Sequence, residues 1–282
     1  MYISRKETIE DIILSHSQRG MHILQQYLQS DYCKQAAQCI LNQKKGYIFL
    51  TTGFYVNGFA ETDGPLGTMA IAIALKKLGY TPIIITDIYC KGFFEIKNLS
   101  VEYVALDATN QYFDNLLMQY KPVCMISIER CGKNIHDDYT NMLGISIKKN
   151  TAPLDYLFLK ASSLNITTIG IGDGGNEIGM GNLQDIIIDS LSFIPCKIKV
   201  DYLIIATVSN WGAYALIAYL SILTNKYLLP YFDDVEQYLK DIVDIGSVDG
   251  ILKKPILSVD GFSLDIEKNI LNRLNDGIYY SH

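Results

Sequence analysis

The sequence predicts an α/β protein with a doubly wound, mostly parallel sheet and helices on both faces. Continuous apolar runs such as YIFLTT (47–52), TPIIIT (81–86) and PVCMISI (122–128) are typical of strands that are buried on both faces. Helix-length segments separate these runs, which is the pattern of parallel strands joined by helical crossovers. A helical segment is predicted before the first strand, because residues 1–45 lack strand signals.

The predicted elements follow one another regularly along the chain. The Ser4-to-Glu7 spacing fits a capping box at the start of an N-terminal helical segment, residues 1–45, which is expected to pack on the core. A single α/β catalytic domain is predicted over residues 46–282. Its strands are predicted at 47–52, 81–86, 101–106, 122–128, 166–171 and 201–208, with helices after Pro65, Asn110, Gly175 and Trp211 and a helical tail from about 225.

Composition narrows the range of functions. The chain has 282 residues, 49% of them hydrophobic, and 24 basic against 30 acidic side chains give a net charge of −6. This balance favours neither nucleic acid nor an anionic membrane as a partner. The apolar run at 211–223 is shorter than the roughly 20 residues of a membrane-spanning helix, so it predicts a buried helix. No signal peptide is recognisable and the six cysteines form no Cys-x-x-Cys pair, so we expect a cytoplasmic protein with reduced core thiols.

Acidic residues follow the predicted strands. Ligands of doubly wound proteins bind beyond the carboxyl ends of the strands, so residues at these positions are candidates for the site. Asp87 and Asp107 are interpreted as helix caps there. The remaining acids are expected to meet at one cleft, and they are Glu61, Asp63, Glu129, Asp173 and Glu177.

The segment GIGDGGNEIGMG (170–181) holds six glycines and satisfies the G-x-G-x-x-G spacing of a dinucleotide-binding turn. Asp173 and Glu177 lie within it, and two carboxylates would repel a pyrophosphate. The next strand also ends without an acid for the ribose. No nucleotide cofactor is therefore expected, and the acids favour a substrate ammonium or a hard metal ion. An NAD(P)-dependent oxidoreductase that uses residues 170–175 stays open as the alternative.

The chain resembles the D-glutamate cyclase family through an ordered series of motifs. They are TTGF (51–54), ETDGP (61–65), SIER-x-G (127–132), TAPLD (151–155), GIGDGGNEIGMG (170–181) and SNWGAYAL (209–216). The similar region is the C-terminal part of a longer mitochondrial protein in eukaryotes and stands alone in bacterial members, which is the form the resemblance implies here. The chain departs from the family pattern at 132–138, where an Asp-Gly pair is expected before the tyrosine.

The resemblance implies a hydro-lyase that interconverts D-glutamate with 5-oxo-D-proline and water. Cyclisation needs a base for the substrate ammonium, and Asp173 or Glu177 is the expected base because carboxylates in a dry site have raised pKa values. Asp63 and Glu129 are the other candidate catalytic acids. The expected substrate is an acidic amino acid or its lactam, and a homodimer stays open as the assembly. A non-catalytic metabolite-binding protein is the second alternative.

The remaining roles concern substrate and metal binding. The amides of Gly174, Gly175 and Asn176 are expected to stabilise the oxyanion at a helix N-terminus. Further substrate contacts are predicted from Thr52, Gly53, Arg130, Asn210 and Trp211. The Arg130 guanidinium is expected to bind the α-carboxylate through two hydrogen bonds. Arg130 and Glu129 are equally consistent with a structural ion pair, and Trp211 with core packing. A divalent cation, Mg²⁺ or Mn²⁺, is expected on Glu61, Asp63, Asp173 and Glu177.

Overall fold

The computed structural model describes residues 7–191 and 193–279. The strands are β1 (Tyr47–Thr51), β2 (Tyr55–Val56), β3 (Phe59–Ala60), β4 (Thr81–Thr86), β5 (Val101–Tyr103), β6 (Cys124–Ile128), β7 (Thr167–Gly172), β8 (Tyr202–Ile205), β9 (Ser258–Val259) and β10 (Phe262–Ser263). The α-helices are α1 (Ile9–Ile13), α2 (Met21–Leu24), α3 (Tyr32–Asn42), α4 (Pro65–Lys77), α5 (Asn110–Tyr120), α6 (Asp155–Ala161), α7 (Gln184–Leu191), α8 (Ser209–Thr224), α9 (Phe232–Asp244) and α10 (Leu264–Tyr279).

Six strands form one parallel sheet in the order β5-β4-β1-β6-β7-β8. The chain steps outward from β1 to β4 and β5, then returns to β6 and continues to β7 and β8. Right-handed crossovers that run in opposite directions along a sheet place their helices on opposite faces. The predicted doubly wound α/β fold is therefore confirmed. Its switch point lies between β1 and β6, where the expected ligand cleft opens.

Two short antiparallel hairpins, β2-β3 and β9-β10, lie outside the main sheet. The first hairpin lies between β1 and α4, and Glu61 directly follows it. The second belongs to the tail that the sequence predicts as helical, and Asp260 forms its turn with a φ of 51°. Each hairpin thus supplies one acidic residue: Glu61 follows the first hairpin, and Asp260 lies in the turn of the second.

Helix α8 is buried over most of its length, as the apolar run at 211–223 predicts. Two glycines allow its close packing. A Cβ atom at Gly67 of α4 would lie 2.6 Å from the Ala213 Cβ, and one at Gly212 would lie 2.7 Å from the Ile171 Cγ2. Helix α8 therefore lies close to both α4 and β7. In the part of the chain that the structure describes, no helix is long and apolar enough to cross a bilayer.

Several local predictions need correction. The predicted cap at Ser4–Glu7 begins outside the described residues, whereas Thr8 and Asp11 form a capping box at α1. Asp107 does not cap α5, because Thr109 occupies the N-cap position of that helix. No helix follows Gly175 directly: a 3-10 turn begins at Met180 and α7 begins at Gln184. The six cysteines are all buried and free, as expected.

Candidate functional site

Six carboxylate side chains gather at the carboxyl edge of the sheet, around a cavity of about 470 Å³. We call them the acidic cluster: Glu61, Asp63, Glu129, Asp173, Glu177 and Asp260. All six residues are buried. Five of them line the cavity, which we call the acidic cavity, and the sixth, Asp63, approaches Asp173 and Asp260 with carboxylate oxygens that lie within 4.8 Å of one another. The five acids predicted from the strand ends therefore meet at one site, together with Asp260.

Asp63 connects the acidic cluster to the N-terminus of α8. Its Oδ2 accepts a hydrogen bond from the Ser209 amide at 2.8 Å, and its Oδ1 accepts one from the Asn210 amide at 2.8 Å. Burial and the nearby Asp260 raise the pKa of Asp63 to about 7, although the two amide donors oppose the shift. Its carboxyl group therefore changes protonation state near neutral pH.

Glu129 follows β6 in the left-handed backbone region, with a φ of 45°. A residue other than glycine is uncommon in this region and marks a position that its surroundings impose. The hydroxyl of Ser209 donates to Glu129 Oε2 at 2.5 Å. Burial, followed by the charges of Glu177 and Asp63, raises the pKa of Glu129 well above its usual range. Glu129 is therefore a carboxyl group that favours its protonated form.

Glu177 is held by the loop that contains it. The amides of Gly174 and Gly175 donate to its two carboxylate oxygens at 2.9 and 2.8 Å. A Cβ atom at Gly172 would lie 2.8 Å from Glu177 Oε2, so only glycine leaves room for this carboxylate at the end of β7. Burial raises the pKa of Glu177 against the opposing effect of these amides.

This arrangement changes the interpretation of the glycine-rich segment. Gly170 and Gly172 belong to strand β7 itself, and the amides of Gly174 and Gly175 bind Glu177. They are therefore not directed to an oxyanion at a helix N-terminus, and they do not form a pyrophosphate-binding turn. Asn176 lines the acidic cavity, but its side-chain nitrogen donates to the Thr140 carbonyl oxygen at 2.8 Å.

Arg19 places a positive charge within the acidic cluster. Its Nη2 donates to Oδ2 of Asp173 and to Oδ2 of Asp260, and it also reaches the Thr207 carbonyl oxygen at 3.3 Å. Burial raises the pKa of Asp173 well above its usual range, and the Arg19 charge opposes this effect. Arg19 therefore favours the ionised form of Asp173.

Sequence reasoning missed both Arg19 and Asp260. Arg19 lies in the loop between α1 and α2, and Asp260 lies in the turn between β9 and β10. Neither residue follows a parallel strand, so the pattern of acids at strand ends does not indicate them. The Asp260-Gly261 pair is a turn signal of the kind that sequence can show, but it does not indicate that the turn reaches the carboxyl edge of the sheet.

Arg130 is buried, does not line the acidic cavity and is bound by the protein itself. Its Nη1 contacts Oδ2 of Asp87 at 2.7 Å and donates to the Gly53 carbonyl oxygen at 2.6 Å, while Nη2 donates to the Ala152 carbonyl oxygen at 2.8 Å. The predicted bidentate contact with a substrate carboxylate is therefore not available, because both terminal nitrogens of the buried guanidinium already have partners. Glu129 is not its ion-pair partner, and Asp87 is. Asp87 also caps the 3-10 turn at Ile88–Cys90, as predicted, because its Oδ1 accepts from the Tyr89 amide at 3.2 Å.

The other predicted substrate contacts also lie within the protein interior. Trp211 is fully buried, and its indole nitrogen donates to Glu267 Oε2 at 2.6 Å. Of the two interpretations of Trp211, the structure supports packing in the core. Gly53 has a φ of 98°, and a Cβ atom there would lie 2.6 Å from the Cys90 Sγ. Thr52 is buried, and its hydroxyl has no hydrogen-bond partner among the described residues. Asn210 Oδ1 accepts from the first amides of α4.

Two sets of carboxylates have a geometry that could hold a cation. Asp63, Asp173 and Asp260 form one set, and Glu129, Asp173 and Glu177 form the other, with oxygens within 4.8 Å of one another in each set. Glu61 belongs to neither set. Its carboxylate lines the acidic cavity without a hydrogen bond to any described residue, and burial and Asp260 raise its pKa well above its usual range.

Comparisons with known proteins point to one family. The family model described as D-glutamate cyclase-like, C-terminal, matches residues 9–275. The human protein named D-glutamate cyclase, mitochondrial, is 30% identical over 210 residues. The match covers 62% of this chain and 33% of the human protein, so the chain corresponds to about a third of that relative.

Solved structures share only distant similarity with the chain. An exopolyphosphatase-related protein from Bacteroides fragilis matches with a TM-score of 0.43 and 11% identity, covering 90% of this chain and 60% of that one. The UDP-glucose 4-epimerase from Brucella ovis matches with a TM-score of 0.33 and 11% identity, covering 52% of this chain and 49% of the epimerase. These scores are too low to support any conclusion about function.

Proposed function

The chain belongs to the D-glutamate cyclase-like family, and from this premise we propose that it is a lyase that interconverts D-glutamate with 5-oxo-D-proline and water. The observation that carries the proposal is the acidic cluster around a cavity at the switch point of the sheet. The reaction needs groups that can accept and donate protons near neutral pH, and buried carboxyl groups with raised pKa values meet that need. The 30% identical human relative supports the same activity.

In the cyclisation direction, the amine of D-glutamate attacks its own γ-carboxyl carbon. The substrate ammonium must first lose one proton, and the C–N bond then forms. The attacking nitrogen loses a second proton, and the C–O bond breaks as the oxygen takes up two protons and leaves as water. We propose that Asp173 accepts the ammonium proton. It lines the acidic cavity and Arg19 favours its ionised form, whereas both oxygens of Glu177 are already bound by amides.

Glu129 is the proposed acid for the leaving oxygen. Burial and its acidic neighbours raise its pKa well above its usual range, which favours the protonated form that an acid needs. It lines the same cavity as Asp173, and the Ser209 hydroxyl holds one of its oxygens at 2.5 Å. Asp173, whose ionised form Arg19 favours, and Glu129, whose protonated form burial favours, thus provide the base and the acid in one cavity. In the hydrolytic direction the two residues exchange these roles.

A divalent cation is part of the proposal. Carboxylates without histidine favour Mg²⁺ or Mn²⁺, and the two sets, Asp63 with Asp173 and Asp260, and Glu129 with Asp173 and Glu177, have oxygens close enough to share one ion. A bound ion would polarise the substrate γ-carboxyl and offset the charge of the acidic cluster. Asp173 belongs to both sets, so it could act as a metal ligand or only in proton transfer. Removal of the ion with a chelator distinguishes these two roles of Asp173.

The test is an assay of 5-oxo-D-proline hydrolysis by the purified protein, with the L-enantiomer as control. We expect D-glutamate as the product, loss of turnover in EDTA, and recovery on addition of Mg²⁺ or Mn²⁺. Full activity of the metal-stripped protein would overturn the proposed role of the divalent cation and leave the proposed lyase activity in place. Absence of turnover with the D-enantiomer under every metal condition would overturn the proposed lyase activity.

A further inference from the structure

We propose that Lys253 binds a carboxylate of the substrate at the mouth of the acidic cavity. This inference rests on the proposed function and adds a specificity-determining residue to it. Lys253 lines the same cavity as Glu61 and Asp260, on a loop that follows Val248 and precedes β9. The loop does not follow a parallel strand, so the sequence pattern does not indicate this residue.

The need for a cation follows from the charge of the cavity. D-glutamate carries two carboxylates and 5-oxo-D-proline carries one, and the acidic cluster would repel them. Arg19 and Lys253 are the two cationic side chains among the residues that line the acidic cavity. Arg19 already binds Asp173 and Asp260. The Lys253 ammonium has no hydrogen bond or ion pair with any described residue, so it can bind a ligand carboxylate.

Asp249 fixes the loop that carries Lys253. This buried carboxylate accepts from the amides of Ile251 and Leu252 at 2.9 and 2.7 Å, and its other oxygen accepts from the Gly261 amide at 2.8 Å. The Lys253 amide donates to the Asp249 carbonyl oxygen at 2.8 Å. The position of Lys253 is therefore tied to the turn that holds the neighbouring Asp260.

The backbone of Lys253 is in an uncommon conformation. Its φ is 54°, in the left-handed region that glycine or asparagine occupies more readily than lysine. Strained backbone positions persist where the surrounding structure imposes them, and they cluster at ligand sites. Apolar side chains, including those of Met142 and Ile251, line the cavity beside it. Lys253 itself is exposed, so its ammonium is accessible to a ligand that enters the cavity.

Lys254 provides a matched control. It is the next residue, it is exposed, and it is not among the residues that line the acidic cavity. The experiment compares Lys253→Met, Lys253→Arg and Lys254→Met in the hydrolysis of 5-oxo-D-proline, and measures kcat, KM and the Kd of the product D-glutamate by calorimetry. Circular dichroism establishes that each variant is folded.

We expect Lys253→Met to raise KM and Kd by about tenfold or more, the range for loss of a charge-assisted hydrogen bond, with kcat within about twofold of the unchanged protein. Lys253→Arg keeps the charge and should recover most of the affinity, while Lys254→Met should leave both constants unchanged. Equal KM values for Lys253→Met and Lys254→Met would overturn the inference while the lyase activity stands. Failure of the unchanged protein to bind or convert either compound would overturn the proposed function and, with it, this role of Lys253.

Discussion

Asp63, which precedes α4, caps helix α8, and Asn210, which lies in α8, caps helix α4. The Asp63 carboxylate accepts from the Asn210 amide at 2.8 Å at the start of α8. Asn210 Oδ1 in turn accepts from the amides of Gly64 and Gly67 at 2.9 and 2.8 Å, at the start of α4. Because an N-cap acceptor satisfies amides that have no partner within the helix, this exchange fixes both helix ends at the acidic cluster.

The reciprocal caps predict a loss of stability on substitution. Asn210→Ala removes the acceptor of the buried Gly67 amide, whereas the Gly64 amide keeps Asp63 Oδ1 at 2.8 Å. We therefore expect the free energy of unfolding to fall by about 1–3 kcal/mol. Urea denaturation followed by circular dichroism measures the change. Thr109→Ala is the matched control, because Thr109 occupies the N-cap position of α5 without a side-chain cap hydrogen bond. Equal effects of the two substitutions would show that the Asn210 cap contributes little.

Asp173→Asn tests the proposed base. The substitution keeps the size of the side chain and removes its charge, so we expect the rate of 5-oxo-D-proline hydrolysis to fall by at least about 10²-fold. The exposed Asp185 offers a control, Asp185→Asn, which should keep full activity. Near-full activity of Asp173→Asn would exclude Asp173 as the base. Tighter NAD binding by the variant would instead favour the oxidoreductase alternative.

Arg19→Met should change the pH dependence of the reaction. The Arg19 charge opposes the upward shift that burial imposes on the pKa of Asp173, so its removal should raise that pKa further. Because Asp173 acts as the base in the cyclisation direction and must be ionised there, the acidic limb of the kcat/KM profile for D-glutamate cyclisation should move to higher pH. Arg273→Met is the control, since Arg273 pairs with Glu7 away from the acidic cluster. An unmoved acidic limb in Arg19→Met would contradict the proposed electrostatic role.

The pH dependence of stability should also reflect the acidic cluster. Asp63 has a pKa near 3.8 in an unfolded chain and about 7 in the fold, where burial and then Asp260 raise it. Between these pH values the folded form retains a proton that the unfolded form has released. The free energy of unfolding of the metal-free protein should therefore fall as pH rises from about 4 to about 7.

Urea denaturation at pH 5.5 and pH 8 measures this difference, in buffer with EDTA. Asp63→Asn should reduce the slope, because the amide does not titrate, and it keeps an oxygen acceptor for α8. Added Mg²⁺ or Mn²⁺ should restore stability at pH 8, where the carboxylates are ionised and can bind an ion. Greater stability of the metal-free protein at pH 8 than at pH 5.5 would contradict the predicted sign.

Much of the architecture could be predicted from the sequence. The apolar runs at 47–52 and 122–128 predict strands β1 and β6, and the apolar run at 211–223 predicts the buried helix α8. Periodicity and burial are properties of neighbouring residues, so a local pattern contains them. The sequence also determined that acids would gather at one edge, because parallel strands bring their carboxyl ends together.

The tertiary structure alone decided which partner each polar group takes. Arg130 binds Asp87 rather than leaving its guanidinium free, and the amides of Gly174 and Gly175 bind Glu177. Arg19 and Asp260 reach the acidic cluster from distant parts of the chain and meet Asp173 there. A buried polar group must find a partner among the groups that packing brings within about 3 Å. That choice depends on how helices, hairpins and sheet are placed in space, and no local pattern of residues contains it.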